Sequence, residues 1–222
     1  MNNINNLKGK KFVASYSGGK DSVLAIHRAV HAGLVPLELI TTYNTDMNRS
    51  WFHGITENII KKVSDSLAIP IRLIRTSGDQ YEENFEKALA DAKNRGTEVC
   101  VFGDIDIEGH LEWCSSRCEK VGLIPYFPLW QESRKKLVCE FIDSGFLAII
   151  TIVDTSRMPK NFLGEILSRK VADLIEESGA DICGENGEYH TFVFDGPIFN
   201  NKIDFVEKEK LERDKYYILS ID

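Results

Sequence analysis

Apolar runs of strand length alternate with amphipathic helical segments through the first half of the chain. In the first helical segment, Val23, Ile26 and Val30 lie on one face. Strands separated by helices form parallel sheets with right-handed crossovers. The sequence therefore predicts an α/β fold with strands Lys11–Tyr16, Pro36–Tyr43, Ile69–Thr76 and Val99–Gly103, and with helices Asp21–Ala32, Gly54–Leu67, Tyr81–Arg95 and Leu111–Val121.

The alternation changes after Gly103. The segment Ile124–Trp130 is rich in Pro and aromatic residues, which predicts a loop and a domain boundary. We expect one domain at 1–123 and a smaller α+β subdomain at 124–222. Between Lys202 and Lys215, five basic and five acidic residues balance, as is typical of a solvated face. The regular elements predicted in the subdomain are helices Arg134–Ser144 and Phe162–Glu177 and strands Phe146–Val153, Thr191–Phe194 and Tyr216–Ser220.

Charge and composition exclude several classes of protein. The formal net charge of −7 argues against a nucleic-acid partner, because such binding depends on cationic side chains, although it leaves a local basic patch open. No apolar stretch approaches the ~18 residues of a membrane-spanning helix. Five cysteines in a chain of ordinary length are more typical of reduced thiols than of a disulfide framework. We therefore expect a cytoplasmic protein with no membrane partner.

The segment between the first strand and the first helix has the chemistry of a phosphate site. Its sequence from Ser15 is SYSGGKDS, at the edge of the sheet where α/β folds bind ligands. Two adjacent glycines allow successive N–H groups to point into one concavity, and the following helix adds its positive end. An isolated Gly-Gly pair would more often be a plain turn. Here, however, Ser17, Gly18, Gly19, Lys20, Asp21 and Ser22 together offer N–H, hydroxyl and ammonium donors, with a carboxylate for a helix cap or for Mg²⁺.

The hexapeptide SGGKDS resembles the PP-loop of the N-type ATP pyrophosphatases. The resemblance implies an adenine nucleotide alpha hydrolase-like, Rossmann-like domain that binds ATP, cleaves it to AMP and pyrophosphate, and activates an acceptor oxygen as an adenylate. It also implies that Lys20 and Asp21 serve catalysis, with Asp21 near Mg²⁺. In such enzymes adenine lies near the end of the second strand, which here points to Thr42, Tyr43 and Asn44.

A second polar passage lies near the C-terminus, with the sequence GENGEYHTFVFDGP from Gly184. Taken alone, it would more often be a turn with solvated acids. Its order resembles the signature GEGGEYET of the diphthine–ammonia ligases, with Asn186 in place of a Gly and His190 in place of the last Glu. With these two differences, the passage is more similar to the sequences of the bacterial branch of that family. The resemblance implies a catalytic role for Glu185 and Glu188 at the acceptor, and substrate contacts for Asn186, Tyr189 and His190.

Four carboxylates stand within a short segment after the fourth predicted strand, without a Lys or Arg among them. Such charge beside ATP requires a cation or a cationic substrate group, whereas the simpler alternative is an acidic helix start. In the ligases that this chain resembles, this stretch contains residues that face substrate. The resemblance therefore implies that Gly103 and Asp104 contact the nucleotide and that Asp106, Glu108 and His110 face substrate.

The sequence thus predicts an ATP-dependent, AMP-forming ligase that adenylates a carboxylate or amide on a small molecule or a protein side chain. Ammonia or another amine would then displace AMP. The alternatives are a tRNA-modifying PP-loop enzyme, of the thiolase or lysidine type, and a non-catalytic adenine-nucleotide sensor. The sequence is also compatible with a homodimer.

Overall fold

The computed structural model describes residues 7–45, 49–50 and 55–222. Contacts between Cα atoms divide these residues into two units. The first comprises the described residues within Met1–Ser17, Asp21–Trp51 and Ala68–Gln131, and the second those within Gly18–Lys20, Phe52–Leu67 and Glu132–Asp222. The boundary at residues 123 and 124 stays a prediction of the sequence.

The first unit is built on a parallel sheet. Strands β2, β1, β5 and β6 lie side by side in that order, β4 pairs in parallel with β2, and the short β3 pairs antiparallel with β2. This arrangement confirms the Rossmann-like α/β class. Its elements are β1 (Lys11–Ser15), α1 (Lys20–His31, from Asp21 in this unit), β2 (Val35–Asn44), β3 (Arg49–Ser50), β4 (Ile71–Thr76), α3 (Tyr81–Asn94), β5 (Val99–Val101), α4 (Glu108–Val121) and β6 (Ile124–Tyr126).

The core of the first unit fills the space between this sheet and α3 and α4. Val13, Ile40 and Cys100 from three adjacent strands are buried against Phe85 and Leu89 of α3. Burial of such side chains contributes about 1.5–3 kcal/mol each, so the apolar faces of α3 and α4 hold these helices against the sheet.

The second unit contains an antiparallel sheet in the order β8, β7, β10, β9, which confirms the smaller α+β part. Phe141 and Phe146 stack beside it, with ring centroids 5.0 Å apart. Its elements are α2 (Glu57–Leu67), α5 (Arg134–Asp143), β7 (Leu147–Asp154), α6 (Arg169–Glu177), β8 (Tyr189–Asp195), β9 (Glu207–Arg213) and β10 (Tyr216–Ile221).

Helix α2 belongs to the second unit although its sequence lies among the elements of the first. Its Ser66 carbonyl accepts the N–H of Asn200 at 2.8 Å, and Thr56, just before the helix, donates to Asp222 at 3.1 Å. Hydrogen bonds with the last part of the chain therefore hold this helix. Gly54, the first residue of the predicted helix, lies outside the described residues.

Two predicted elements are wrong. Residues 124–126 form strand β6 rather than a loop, and Pro125 is tolerated there because β6 is at the edge of the described sheet and needs fewer N–H donors. The helix predicted from Phe162 begins only at Arg169, because Gly164 adopts a φ of 87° and Ser168 caps the helix by accepting the N–H of Val171 at 3.3 Å.

Strand β9 is absent from the sequence-based prediction, since its alternating charges do not resemble an apolar strand. It forms a hairpin with β10, in which Arg213 lies opposite Tyr216. No helix of the described residues is both long and apolar enough to span a bilayer.

Candidate active site

The ends of the SGGKDS loop lie in the first unit. Ser15 closes β1, and the N–H and Oγ of Ser17 lie 3.4 and 3.1 Å from Oγ of Ser22. Asp21 and Ser22 form the first turn of α1. The loop therefore closes on itself through a Ser17–Ser22 contact at the positive end of a helix.

Gly103 follows β5 and approaches this turn closely. A Cβ atom at this position would lie 2.8 Å from both the carbonyl carbon of Asp21 and the nitrogen of Ser22. Both atoms are backbone, so they cannot move aside as a side chain would. A glycine is therefore required for the packing of the chain after β5 against the start of α1.

The middle of the loop lies in the second unit, where it pairs with strand β8. The N–H of Val193 donates to the carbonyl of Gly18 at 2.9 Å, and the N–H of Lys20 donates to Oγ1 of Thr191 at 3.1 Å. Gly18 has a φ of 91°, a conformation that favours glycine. These bonds join the first polar motif to the strand that carries the second.

The ammonium group of Lys20 is buried beside the second motif. The Lys20 residue is only 5% exposed, and its Nζ donates to the carbonyl of Cys183 and lies 5.3 Å from the ring centroid of Tyr189. Burial, and to a lesser extent the nearby Lys20 charge, together lower the pKa of the half-buried His190 to about 4. His190 is therefore neutral at pH 7.

Glu188 orders the loop that contains it. Its side chain is buried, and its carboxylate accepts the N–H of Asn186 at 3.1 Å, the side-chain amide of Asn186 at 3.1 Å and the N–H of Asp181 at 3.4 Å. A carboxylate that accepts several N–H groups stabilises the turn around it. This geometry favours a positioning role for Glu188, whereas Glu185 is half-buried with its N–H directed to Asp181 at 2.9 Å.

Asp181 fixes the other side of the same loop. Its carboxylate accepts the N–H of Cys183 at 3.2 Å and pairs with Arg134 at 2.6 Å. The Tyr189 hydroxyl donates to the carbonyl of Ile182 at 2.6 Å. Residues 181–189 thus form a loop with many internal hydrogen bonds.

Polar residues at the carboxyl ends of β2 and β5 lie in the first unit. Thr42, Tyr43 and Asn44 are buried at the end of β2. Burial is the main cause of the raised pKa of Tyr81, whose hydroxyl hydrogen-bonds with Thr42. Tyr81 also feels the charge of Asp104, which places the ends of these two strands near one another.

The acidic segment after β5 is more open to solvent. Asp104 is half-buried and lies 3.2 Å from Nδ1 of His110, with the Cys114 thiol at 4.0 Å. Asp106, Glu108 and His110 are exposed, as is Asn186 in the second unit. Burial and the neighbouring Asp104 raise the pKa of Cys114, so this thiol stays protonated.

Metal binding was tested against the same residues. Within the described ranges, no three His, Cys, Asp or Glu side chains are grouped to hold a metal ion. Magnesium bound with a nucleotide uses only one or two protein carboxylates together with phosphate oxygens. The single carboxylate of Asp21, in the first turn of α1, fits such an ion.

Sequence reasoning missed three contributors to this site: Asp181, Arg134 and the carbonyl of Cys183. Asp181 stands three residues before a glycine, a spacing typical of Asx turns, and this signal could have identified it. Arg134 stands in a run of three cationic residues, and such a run is more typical of the solvated start of a helix than of a functional site. A backbone carbonyl gives no sequence signal, because every residue has one.

Two domain families match nearly the whole chain. The diphthamide synthase N-terminal domain matches residues 10–125, and the diphthamide synthase C-terminal domain matches residues 133–222. Proteins named diphthine–ammonia ligase from Bos taurus and Homo sapiens are 28% and 27% identical to this chain. Both alignments cover 87% of this chain and 82% of the relative.

A solved structure also matches, described as a predicted subunit of tRNA methyltransferase from Methanocaldococcus jannaschii. It is 14% identical, with a TM-score of 0.46, and the alignment covers 87% of this chain and 100% of that one.

Proposed function

Since this chain belongs to the diphthamide synthase family within the PP-loop superfamily, we propose that it is an ATP-dependent ligase that forms AMP and pyrophosphate. An acceptor carboxylate attacks the α-phosphate of ATP, and the bond to the β-phosphate breaks to release pyrophosphate. Ammonia then attacks the acyl-adenylate, which yields an amide, AMP and a proton. An amide acceptor would react in the same way through its oxygen.

The loop Ser15–Ser22 is the proposed triphosphate site. Ser17 and Ser22 supply hydroxyl donors, the Gly18–Gly19 backbone supplies close approach, and Lys20 supplies positive charge where pyrophosphate leaves. Mg²⁺, held by Asp21 and by phosphate oxygens, would neutralise charge on the leaving group. The remaining nucleotide contacts that we propose are Thr42, Tyr43 and Asn44 for adenine, and Gly103 and Asp104 beside the loop.

The observation that carries this proposal is the buried positive charge of Lys20 between the two motifs. Its ammonium group donates to the carbonyl of Cys183 and lies beside the ring of Tyr189, so a positive charge is held at a buried position next to the second motif. The charge of Lys20 contributes to the lowered pKa of His190, after burial, which is the larger cause. A buried positive charge favours binding of an anion, but it does not distinguish an AMP-forming reaction from an ADP-forming one. The family assignment is what favours the AMP-forming reaction.

The acceptor site is proposed at the loop 181–190. Glu185 is the carboxylate proposed to hold ammonia or an amine, with Glu188 ordering the loop and His190 neutral beside it. The names of the relatives make diphthine the first acceptor to test, with ammonia as the amine. We propose that substrate also contacts Asn186 and Tyr189 here, and Asp106, Glu108 and His110 after β5.

We also propose a cellular location and an oligomeric state for the enzyme. All five cysteines are free, which supports a reducing compartment such as the cytoplasm. We further propose a homodimer.

Replacement of Lys20 tests the proposed nucleotide site. Lys20→Met keeps most of the aliphatic stem and removes the charge, so binding of Mg²⁺ with α,β-methylene-ATP should weaken by ~2–4 kcal/mol. Titration calorimetry measures this loss, and Lys170→Met on exposed α6 is the matched control. Equal affinity in wild type and Lys20→Met, with the fold intact by circular dichroism, would refute the assignment.

A further inference from the structure

Strand β9 is an edge strand with an exposed, highly charged surface. It ends the order β8, β7, β10, β9, and in the part of the chain that the structure describes no strand pairs with its outer side. All of its side chains are exposed except that of Leu211, which is half-buried. An edge of this kind carries N–H and C=O groups that another strand can pair with.

The charges on the two sides of Leu211 have opposite signs at equal distances from it, so two antiparallel copies of the segment are complementary in charge. The sequence is Lys208, Glu209, Lys210, Leu211, Glu212, Arg213, Asp214. Each residue on one side of Leu211 is opposite in charge to the residue at the same distance on the other side. When two such segments pair antiparallel with Leu211 at the centre, Lys210 therefore faces Glu212 and Glu209 faces Arg213 within the strand, while Asp214 lies in the turn beyond it.

The hairpin geometry is compatible with this register. A two-residue turn, Asp214–Lys215, joins β9 to β10 and places Arg213 opposite Tyr216. In such a hairpin the flanking pair is hydrogen-bonded, and hydrogen-bonded pairs alternate along the ladder. The N–H and C=O groups of Lys210 and Glu212 then point away from β10, towards the free edge. Pairing centred on Leu211 brings Lys210 of one chain opposite Glu212 of the other, so outward-pointing groups meet.

We propose that β9 pairs antiparallel with β9 of a second copy of this chain, about a two-fold axis at Leu211. The two four-stranded sheets would form one continuous sheet, and each symmetric pair of charges would occur twice. Neighbouring registers are disfavoured, because a centre at Lys210 places two lysines opposite each other and a centre at Glu212 places two glutamates opposite each other. Charges on an edge usually prevent pairing with foreign strands, whereas this pattern permits one register with its own copy.

The contact should be weak and sensitive to salt. One strand from each copy buries less surface than the ~1,200 Å² of a stable interface, so we expect a micromolar or weaker dimer. Its ion pairs are exposed and are screened at physiological ionic strength. Glu212 also lies 3.7 Å from Lys160, an exposed pair that adds little and that need not break.

Charge reversal tests the proposed register. Lys210→Glu places glutamates opposite each other at both symmetric positions, and Glu212→Lys does the same with lysines. Each change should weaken the dimer by about tenfold or more, as measured by sedimentation velocity over a concentration series at low salt. Lys170→Glu on exposed α6 changes the net charge as Lys210→Glu does, and Glu177→Lys at the exposed end of α6 changes it as Glu212→Lys does, and neither control should affect the dimer.

Two further measurements separate this register from general charge effects. An equimolar mixture of the Lys210→Glu and Glu212→Lys proteins should dimerise, because each glutamate then faces a lysine, and the double variant K210E/E212K should dimerise alone. The proposal is overturned by a wild-type protein that stays monomeric at low salt, by an open series of larger oligomers, or by a dimer that both single reversals leave unchanged. Failure of the mixture and of the double variant to regain wild-type association would also overturn it. None of these outcomes depends on ATP, so they do not bear on the proposed ligase activity.

Discussion

Glu188→Gln distinguishes two roles for the carboxylate at the centre of the second motif. Glu188 accepts hydrogen bonds from three N–H groups of its own loop and is only 5% exposed. Gln keeps one acceptor oxygen but turns an NH₂ group towards at least one of these donors. A hydrogen bond to a charged group contributes ~1.5–3 kcal/mol, so the variant should lose about 2 kcal/mol of stability without any ligand present.

Thermal unfolding of the ligand-free protein measures this loss. A change of about 2 kcal/mol should lower the midpoint by ~4–8 °C in a chain of this length. Glu177→Gln, at the exposed end of α6, is the matched control and should leave the midpoint unchanged. If Glu188→Gln unfolds at the wild-type midpoint and loses only acceptor-dependent AMP formation, the carboxylate binds the acceptor and the loop-ordering role is wrong.

Two other predictions concern the nucleotide loop and its surroundings. Gly103→Ala places a Cβ atom 2.8 Å from two backbone atoms of the loop, so it should destabilise the fold by ~1–3 kcal/mol and weaken nucleotide binding. Gly109→Ala in α4 is the control, because a Cβ atom at this position meets nothing within 4 Å, and it should stabilise the fold by ~0.5–1 kcal/mol. Equal denaturation midpoints for the two variants would contradict the packing argument. The pKa of His190 falls from 6.5 to about 4 on folding, so the unfolded chain binds more protons than the folded chain between these pH values. The free energy of unfolding should therefore fall as the pH is lowered through this window, by at most about 3 kcal/mol. His190→Gln should remove this part of the pH dependence in urea unfolding, and an unchanged slope would show that other groups cause it.

Much of the fold could be predicted because the first half of the chain obeys simple periodicity. The apolar faces of α1 and α3 and the runs of β1, β2 and β4 follow from residue spacing alone. Strand β9 could not be predicted, since its charged side chains are solvated on both faces and backbone pairing with β10 stabilises it. Strand β6 was missed because Pro125 is unfavourable in most strands and is tolerated here only by its edge position.

The sequence identified many residues of the candidate site, but it did not show which of them contact one another. The Gly-Gly-Lys loop and the polar passage at 184–191 stand out by composition. Their connection through Thr191 and the carbonyl of Cys183 joins positions more than 160 residues apart, and no local pattern encodes such a contact. The contacts of Glu188 are local, but two of its three donors are backbone N–H groups that only the folded turn brings together.

The identity of the products of ATP turnover tests the proposed activity most directly. Purified protein would be incubated with Mg²⁺, ammonium chloride, a diphthine-bearing protein and ATP labelled in parallel reactions at the α- or the γ-phosphate, and the nucleotides and phosphates would be separated. With both acceptor and ammonium present, we predict repeated turnover that gives AMP and pyrophosphate in equal amounts, whereas acceptor without ammonium should release pyrophosphate for a single turnover only. ADP and orthophosphate as the primary products would contradict the account.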